Sequence, residues 1–272
     1  MTQPTSKCDC SKSAAGRYER QLPLFGIEGQ QKLAEASVFI AGTGGLGSPV
    51  ATYLAAAGVG KIVLLDCDSV DVTNLNRQFL HRESDVGRKK AESGSEKLKE
   101  MNSEILVESV CGLLNEENVK EIIGDCQIIV DALDNDKTRR ILAAFAKQTK
   151  RPYFHAAVSG FQGQFAAFYP EIGPCYFCAF PEDEDDFEEN ENTSETRNSE
   201  KKKPVFPIVG ATAGIIGSME ANEIIKYITG AGKIQVGKLF IWDGLSCIFD
   251  VIDIESDENC SVCGKNNKND GC

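Results

Sequence analysis

The stretch Ser37-Val38-Phe39-Ile40-Ala41-Gly42-Thr43-Gly44-Gly45-Leu46-Gly47-Ser48-Pro49 decides the fold. An apolar run of strand-forming residues meets a glycine-rich turn, and Val50, Ala51, Leu54 and Ala55 then recur at helical spacing behind Pro49, a residue tolerated in a first helical turn. Such a strand–turn–helix holds phosphates. Gly42 and Gly44 allow a tight turn and close approach of backbone to a ligand, and Gly47 lets the helix pack on the strand. The first helical N–H groups face the anion at the positive end of the helix dipole. A turn that only packs can carry the same glycines; the strand before and the helix after them favour a nucleotide. A second β-run, Lys61-Ile62-Val63-Leu64-Leu65, ends in Asp66, at the distance where a ribose-binding acid is expected.

The residues after Asp66 narrow the reaction. Asp66-Cys67-Asp68 leads to Asn74-Leu75-Asn76-Arg77-Gln78-Phe79 and Val86-Gly87-Arg88-Lys89-Lys90, and a later β-run ends in Asp131-Ala132-Leu133-Asp134-Asn135. A helix N-terminus handles most of a dinucleotide's pyrophosphate. A triphosphate with a departing pyrophosphate needs further cations and a carboxylate-held Mg²⁺. Arg77 and Lys90 suit the first need, Asp134 the second.

β-runs at about 37–41, 61–66, 105–110, 127–132 and 153–157 alternate with helical stretches at about 47–57, 87–101, 115–123 and 136–149, which implies a parallel α/β sheet. After Phe161 the pattern changes. Runs at 164–169, 239–242 and 248–252 read as antiparallel strands, with a helix at about 211–228 whose Gly210, Gly214 and Gly217 suggest close packing. The expected fold is a Rossmann-like nucleotide-binding sheet, mostly parallel, extended by antiparallel strands.

With 272 residues and 42% hydrophobic content the chain suits a globular enzyme. No apolar run is long enough for a bilayer, and the polar start lacks the core of a signal peptide, so a cytoplasmic protein without a membrane partner is expected. Eight acids at 182–191 supply most of the net charge of −12, and the polar stretch to Lys203 reads as a mobile loop, a solvated insertion or a guide for an incoming chain. Nucleic acid is not expected as a partner of so acidic a chain.

Among eleven cysteines, Cys175-Tyr-Phe-Cys178 and Cys260-Ser-Val-Cys263 have metal-ligand spacing. Two such turns complete a tetrahedral four-sulfur zinc site with no open position. The competing redox reading expects the pair to open a helix after a strand, which neither pair is expected to do.

Together with Arg17-Tyr18-x-Arg20-Gln21 near the start, these motifs in this order resemble the adenylyltransferases of the ThiF, MoeB and HesA family, relatives of the ubiquitin-activating enzymes, over about residues 17–264. The resemblance implies ATP-dependent adenylation of the C-terminal Gly-Gly of a small ubiquitin-like protein, a sulfur carrier or a modifier. It implies that Gly42, Gly44 and Gly45 lie against the nucleotide, that Asp66 binds the ribose, and that Asn74 is a nearby polar contact. Arg77 and Lys90 neutralise the triphosphate, Asp134 holds Mg²⁺, and Arg20 reaches into the neighbouring subunit's site, so that the enzyme is a homodimer. The resemblance also strengthens zinc at the four cysteines. His81, expected at the site's edge, and His155, expected in the core, are given no catalytic role.

One departure limits the reading. Relatives that form a covalent link with their carrier use a cysteine in a loop aligned here with Lys201-Lys202-Lys203-Pro204-Val205-Phe206, and no cysteine lies between Cys178 and Cys247. Adenylation without an enzyme thioester is therefore expected, with sulfur from a separate donor protein or free sulfide; Cys247 is expected to be structural. An NAD-dependent oxidoreductase would share the glycine turn and Asp66 but leaves Arg77, Lys90, Asp134 and the zinc cysteines unexplained. A non-catalytic scaffold for a ubiquitin-like protein would not need a complete ATP constellation.

Overall fold

The computed structural model describes residues 16–181 and 207–264. The segments expected to be flexible at 1–16 and 265–272, Gly16 aside, the acidic loop at about 182–203 and the aligned loop 201–206 lie outside the described residues. A single eight-stranded sheet is built from β1 (Ser37–Ala41), β2 (Lys61–Leu65), β3 (Leu106–Val110), β4 (Ile128–Asp131), β5 (Tyr153–Ser159), β6 (Gln162–Phe168), β7 (Lys238–Asp243) and β8 (Ile248–Asp253). Its spatial order is β3-β2-β1-β4-β5-β6-β7-β8. The first five strands in that order pair in parallel and the last three join antiparallel, as expected.

The alternation within β1 shows why the sheet is buried on both faces. Val38 and Ile40 enter one apolar cluster while Phe39 and Ala41 enter the other. The first cluster lies beneath α1 (Leu22–Glu35), α2 (Gly47–Ala57) and α7 (Gly210–Thr229). The second lies beneath α4 (Val119–Ile123) and α5 (Asp136–Gln148). α3 (Lys90–Met101) packs against β3 and α2, and the one-turn α6 (Tyr176–Ala179) follows β6. Because β1 is flanked by β2 on one side and β4 on the other, the connections leave it in opposite directions and open a crevice at the strands' carboxyl ends.

Several boundaries differ from the sequence reading for local reasons. The helix expected over 115–123 shrinks to α4, because Asn115 Oδ1 accepts from the amides of Glu117 and Asn118, both at 3.0 Å, and Asn118 Oδ1 accepts from the Asn115 amide at 2.8 Å. Those side chains satisfy the backbone in a turn instead. The helix expected from 87 begins at Lys90, since the Gly87 amide is spent on Val70 O at 2.8 Å and the Lys90 amide on Asp68 O at 3.0 Å. Helix α1 gave no signal: it buries only Gly29, Gln30 and Leu33, and its helical dihedrals break at Gly26. Close packing of α7 holds at two of three glycines. A Cβ at Gly217 would meet Pro49 Cγ at 2.5 Å and one at Gly210 would meet Asn76 O at 2.6 Å, whereas Gly214 has nothing within 4 Å.

Candidate active site

A cleft of about 600 Å³ occupies the crevice. Its floor is the turn between β1 and α2. Gly42 has φ 95°, and a Cβ there would stand 2.6 Å from the Ala132 carbonyl oxygen, so a side chain is excluded twice over. A Cβ on Gly47 would collide with the Gly42 carbonyl oxygen, which explains the glycine at the start of α2. Gly44 and Gly45 line the cleft with Gly42.

Asp66, just past β2, is fixed against this turn. Its Oδ2 accepts from Thr43 N at 2.9 Å and Thr43 Oγ1 at 2.8 Å, and its Oδ1 accepts from Asp68 N at 2.9 Å. Lys90 begins α3 with its side chain only 8% exposed, and Nζ lies 2.9 Å from Asp68 Oδ2. That hydrogen bond holds the Asp68 carboxyl below its ordinary range. Arg77 Nη1 donates to Thr73 O and to Asn76 Oδ1, each at 2.9 Å, and no carboxylate within ion-pair distance neutralises it among the described residues. Asp134 is exposed on the turn after β4 and faces the same cleft, followed by Asn135, whose Oδ1 caps α5 by accepting from Thr138 N at 3.0 Å.

The structure thus brings Gly42, Gly44, Gly45, Asp66, Arg77, Lys90 and Asp134 around one cleft. Asn74, expected as a nearby polar contact, does not line it, and Arg20 is expected to serve the neighbouring subunit's cleft. Asn74 turns its Oδ1 to the Asp71 amide at 3.1 Å, closing a capping box on the short 3-10 turn Val72–Asn74. Arg20 is exposed, ahead of α1, and contributes nothing to its own chain's cleft.

Both histidines are buried. His155 Nδ1 donates to Asp131 Oδ2 at 2.8 Å, and burial pushes its pKa down. Asp131 also receives Arg139 Nε at 2.8 Å and Tyr153 OH at 2.9 Å. Burial alone would raise the Asp131 pKa; the His155 hydrogen bond and the Arg139 charge outweigh it and hold this carboxylate below the usual range. His155 is thus the satisfied core residue expected. His81 sits beneath the turn rather than at the cleft's edge. Its Nε2 is 3.3 Å from Thr43 O and its Nδ1 3.0 Å from Ser93 Oγ, so the Nε2–H tautomer fits both partners, and burial lowers its pKa. The sequence reading missed Gln78, Thr138 and Arg139, which line the cleft. Gln78 adjoins the quoted Arg77; for the other two no local pattern separates them from a helix surface.

The four cysteines converge at the far end of the second core. Cys175 Sγ lies 3.8 Å from Cys178 Sγ and 3.6 Å from Cys260 Sγ, and Cys178 Sγ lies 3.4 Å from Cys263 Sγ. A zinc–sulfur bond of about 2.3 Å in a regular tetrahedron implies sulfur–sulfur edges of about 3.8 Å, so the set fits a closed zinc site. These separations are far beyond a disulfide's ~2.05 Å. One expectation needs correction: Cys175 is the N-cap of α6, so the first pair does open a helix, because the chain turns helical to bring Cys178 back beside Cys175. Convergence with the second pair is what favours metal over redox chemistry. Cys247 lies in the β7–β8 turn as expected, but it is exposed at φ 54°, with no packing role.

A Rossmann-like sheet with a glycine turn, an acid after β2 and two cations facing the crevice defines a nucleotide-binding α/β protein. The chain belongs to the ThiF family, whose model matches residues 18–262. Its sequence is 36% identical over 253 residues to adenylyltransferase and sulfurtransferase MOCS3-1 of Zea mays, a match covering 92% of this chain and 52% of that protein. It is 35% identical over 271 residues to the sulfur carrier protein adenylyltransferase of Thermus thermophilus, covering 93% of this chain and 92% of that protein. The chain therefore spans about half the length of the MOCS3 relatives it matches. In structure it is similar to E. coli MccB solved with ATP, with a TM-score of 0.78 and 27% identity, over 91% of this chain and 73% of that one. No described helix is long and apolar enough to cross a membrane.

Proposed function

We propose that this chain transfers AMP from ATP to the C-terminal Gly-Gly carboxylate of a small ubiquitin-like protein, a sulfur carrier or modifier. The observation that carries the reading is the cleft itself: a phosphate turn, a fixed carboxylate at Asp66, an uncompensated Arg77 and a buried Lys90 suit a triphosphate better than a dinucleotide. Relatives named adenylyltransferases support the same chemistry, in one case over nearly their whole length.

The substrate enters as a carboxylate, so no catalytic base is required. One carboxylate oxygen forms a bond to the α-phosphorus while the bond to the bridging oxygen breaks, and pyrophosphate departs with the electron pair. Asp66 holds the ribose; Arg77 and Lys90 balance the charge developing on the transferred phosphoryl group and the leaving group. Bound Mg²⁺, held by Asp134, would add charge neutralisation on the phosphate oxygens. Arg20 acts across a homodimer, for which its exposed position ahead of α1 leaves it accessible. Zinc at Cys175, Cys178, Cys260 and Cys263 ties the C-terminal segment to the region after β6. The protein acts in the cytoplasm, with sulfur, where the product is a thiocarboxylate, coming from a separate donor. The test is ATP–pyrophosphate exchange with and without a carrier ending in Gly-Gly. Carrier-dependent exchange is expected; its absence with every such carrier, alongside tight NAD binding, would replace the reading with a dehydrogenase.

A further inference from the structure

The cleft contains a side chain to which none of these roles has been given. Gln78 is 5% exposed, yet it lines the cleft beside the phosphate turn. Its Oε1 is fully buried and has no hydrogen-bond partner among the described residues. Its Nε2 lies on the side of Gly44, 3.6 Å from where a Cβ on that glycine would stand, and has no acceptor among the described residues. The backbone around it is well tied: the Gln78 amide donates to Asn74 O at 2.9 Å, and the Gln78 carbonyl accepts from the His81 amide at 3.0 Å. The group a phosphate can use is the donor: the buried Oε1 is an acceptor that no phosphate oxygen could satisfy, whereas Nε2, on the side of Gly44, is an N–H donor without an acceptor among the described residues. The neighbours of Nε2 say which acceptor that donor meets. Arg77 precedes it and Gly44 faces it, both of them in the part of the cleft suited to anions.

Resting on the adenylation reading, we infer that Gln78 is a nucleotide-binding residue whose Nε2 donates to a phosphate oxygen of bound ATP. A neutral donor has a particular use here. Arg77 and Lys90 attract the whole triphosphate, but a cation cannot fix the direction of one oxygen as a short amide on a tethered helical turn can. Gln78 would therefore set the rotation of the phosphate chain about the turn, holding the α-phosphorus open to the incoming carboxylate. Its effect falls on ATP binding and not only on the chemical step.

Two near-isosteric variants of the full chain separate donation from space filling. Gln78→Met keeps the volume against Gly44 and removes the donor. Gln78→Glu keeps the shape, places an acceptor opposite a phosphate oxygen at neutral pH, and regains a donating O–H when protonated. ATP affinity is measured by calorimetry with Mg²⁺, with thermal melting as a check on folding. Both variants are expected to bind ATP about 10- to 100-fold more weakly than wild type near neutral pH, the loss of a hydrogen bond to a charged group. The deficit of Gln78→Glu relative to wild type should narrow as the pH falls from about 8 to about 5.5, toward the carboxyl's own range. The deficit of Gln78→Met should stay constant. Wild-type affinity in Gln78→Met overturns the inference alone, as does a Gln78→Glu deficit that ignores pH. If Gln78→Glu does not fold, Gln78→Met decides. No ATP binding by the wild-type chain would instead overturn the adenylation reading, and this inference with it.

Discussion

Glu220 tests the burial scheme of the fold through its pH dependence. The residue lies in α7, where the helix packs on the sheet, with 0% exposure, and neither carboxyl oxygen has a hydrogen-bond partner among the described residues. Burial pushes its pKa well above the ordinary glutamate range; the Asp131 carboxylate raises it further, and the Arg139 charge only partly opposes this. The folded protein therefore keeps this carboxyl protonated at pH values where the unfolded chain releases the proton. Between the ordinary value, about 4.3, and the raised one, the folded state binds one proton more than the unfolded state, so stability is fully present in acid and falls as pH rises. Between those two values the slope approaches about 1.4 kcal/mol per pH unit, and it levels off once the pH passes the folded value. The amide introduced by Glu220→Gln cannot titrate. Urea unfolding of wild type and Glu220→Gln across that range should give a stability difference that moves in favour of the variant with this slope. For a chain of this size each pH unit at that slope corresponds to roughly 3–6 °C in relative Tm. His81 and His155 titrate in both proteins and cancel in the comparison. A fixed cost of burying the glutamine amide shifts the difference without tilting it. A difference that is flat from pH 5 to pH 7 would mean that Glu220 is ionised in the fold, and the assignment of its surroundings would be wrong.

Other expectations concern the proposed chemistry. Arg77→Ala and Lys90→Ala should each lower carrier-dependent pyrophosphate exchange by about 10²–10³-fold with folding retained by circular dichroism, the usual effect of losing one group that stabilises developing charge; wild-type rates in both would remove them from the site. Protein purified without chelator should carry one zinc per chain, and Cys260→Ser should lose both metal and thermal stability while leaving ATP affinity intact; metal analysis finding no zinc would exclude the closed site. Mixing Arg20→Ala with Asp134→Ala chains should restore part of the activity, because one site in each heterodimer keeps both groups; an active monomer by sedimentation would refute the role of Arg20 across the dimer.

Residues at the carboxyl ends of strands were legible in the sequence, and the reason is topological. Gly42, Asp66 and Asp134 each follow a recognisable β-run, and a parallel sheet gathers such ends at one crevice whatever the helices do. Arg77 and Lys90 were legible only as charges at useful distances along the chain. What carries them into the cleft is the segment 69–90, pinned by the Ser69–Lys89 bridge and the Lys90–Asp68 pair, contacts that no periodicity announces. Asn74 has the right residue type beside the right neighbours, yet its side chain is drawn to a backbone amide three residues earlier in the chain. Its position in the chain could not reveal that competition.

The same distinction explains Gln78 and Glu220. A glutamine in a short turn and a glutamate in Ser218-Met219-Glu220-Ala221-Asn222-Glu223 both read as solvated positions, because polar side chains usually sit at the surface. Both are buried by partners distant in sequence. Gln78 lies under the phosphate turn, and Glu220 lies where Gly217 allows α7 to close onto Leu46 and Pro49. Glu223, one turn further on, shows the ordinary solution: its carboxylate accepts from Tyr169 OH and from the Gln235 amide, both at 2.7 Å. Glu220 has no such donors among the described residues and must be neutral, whereas Gln78 has no acceptor among them but opens onto a cleft suited to phosphate. The buried carboxyl is thus answered by a proton and the amide donor by the proposed ligand, and it is access to the cleft, not residue type, that separates a stability effect from a binding role.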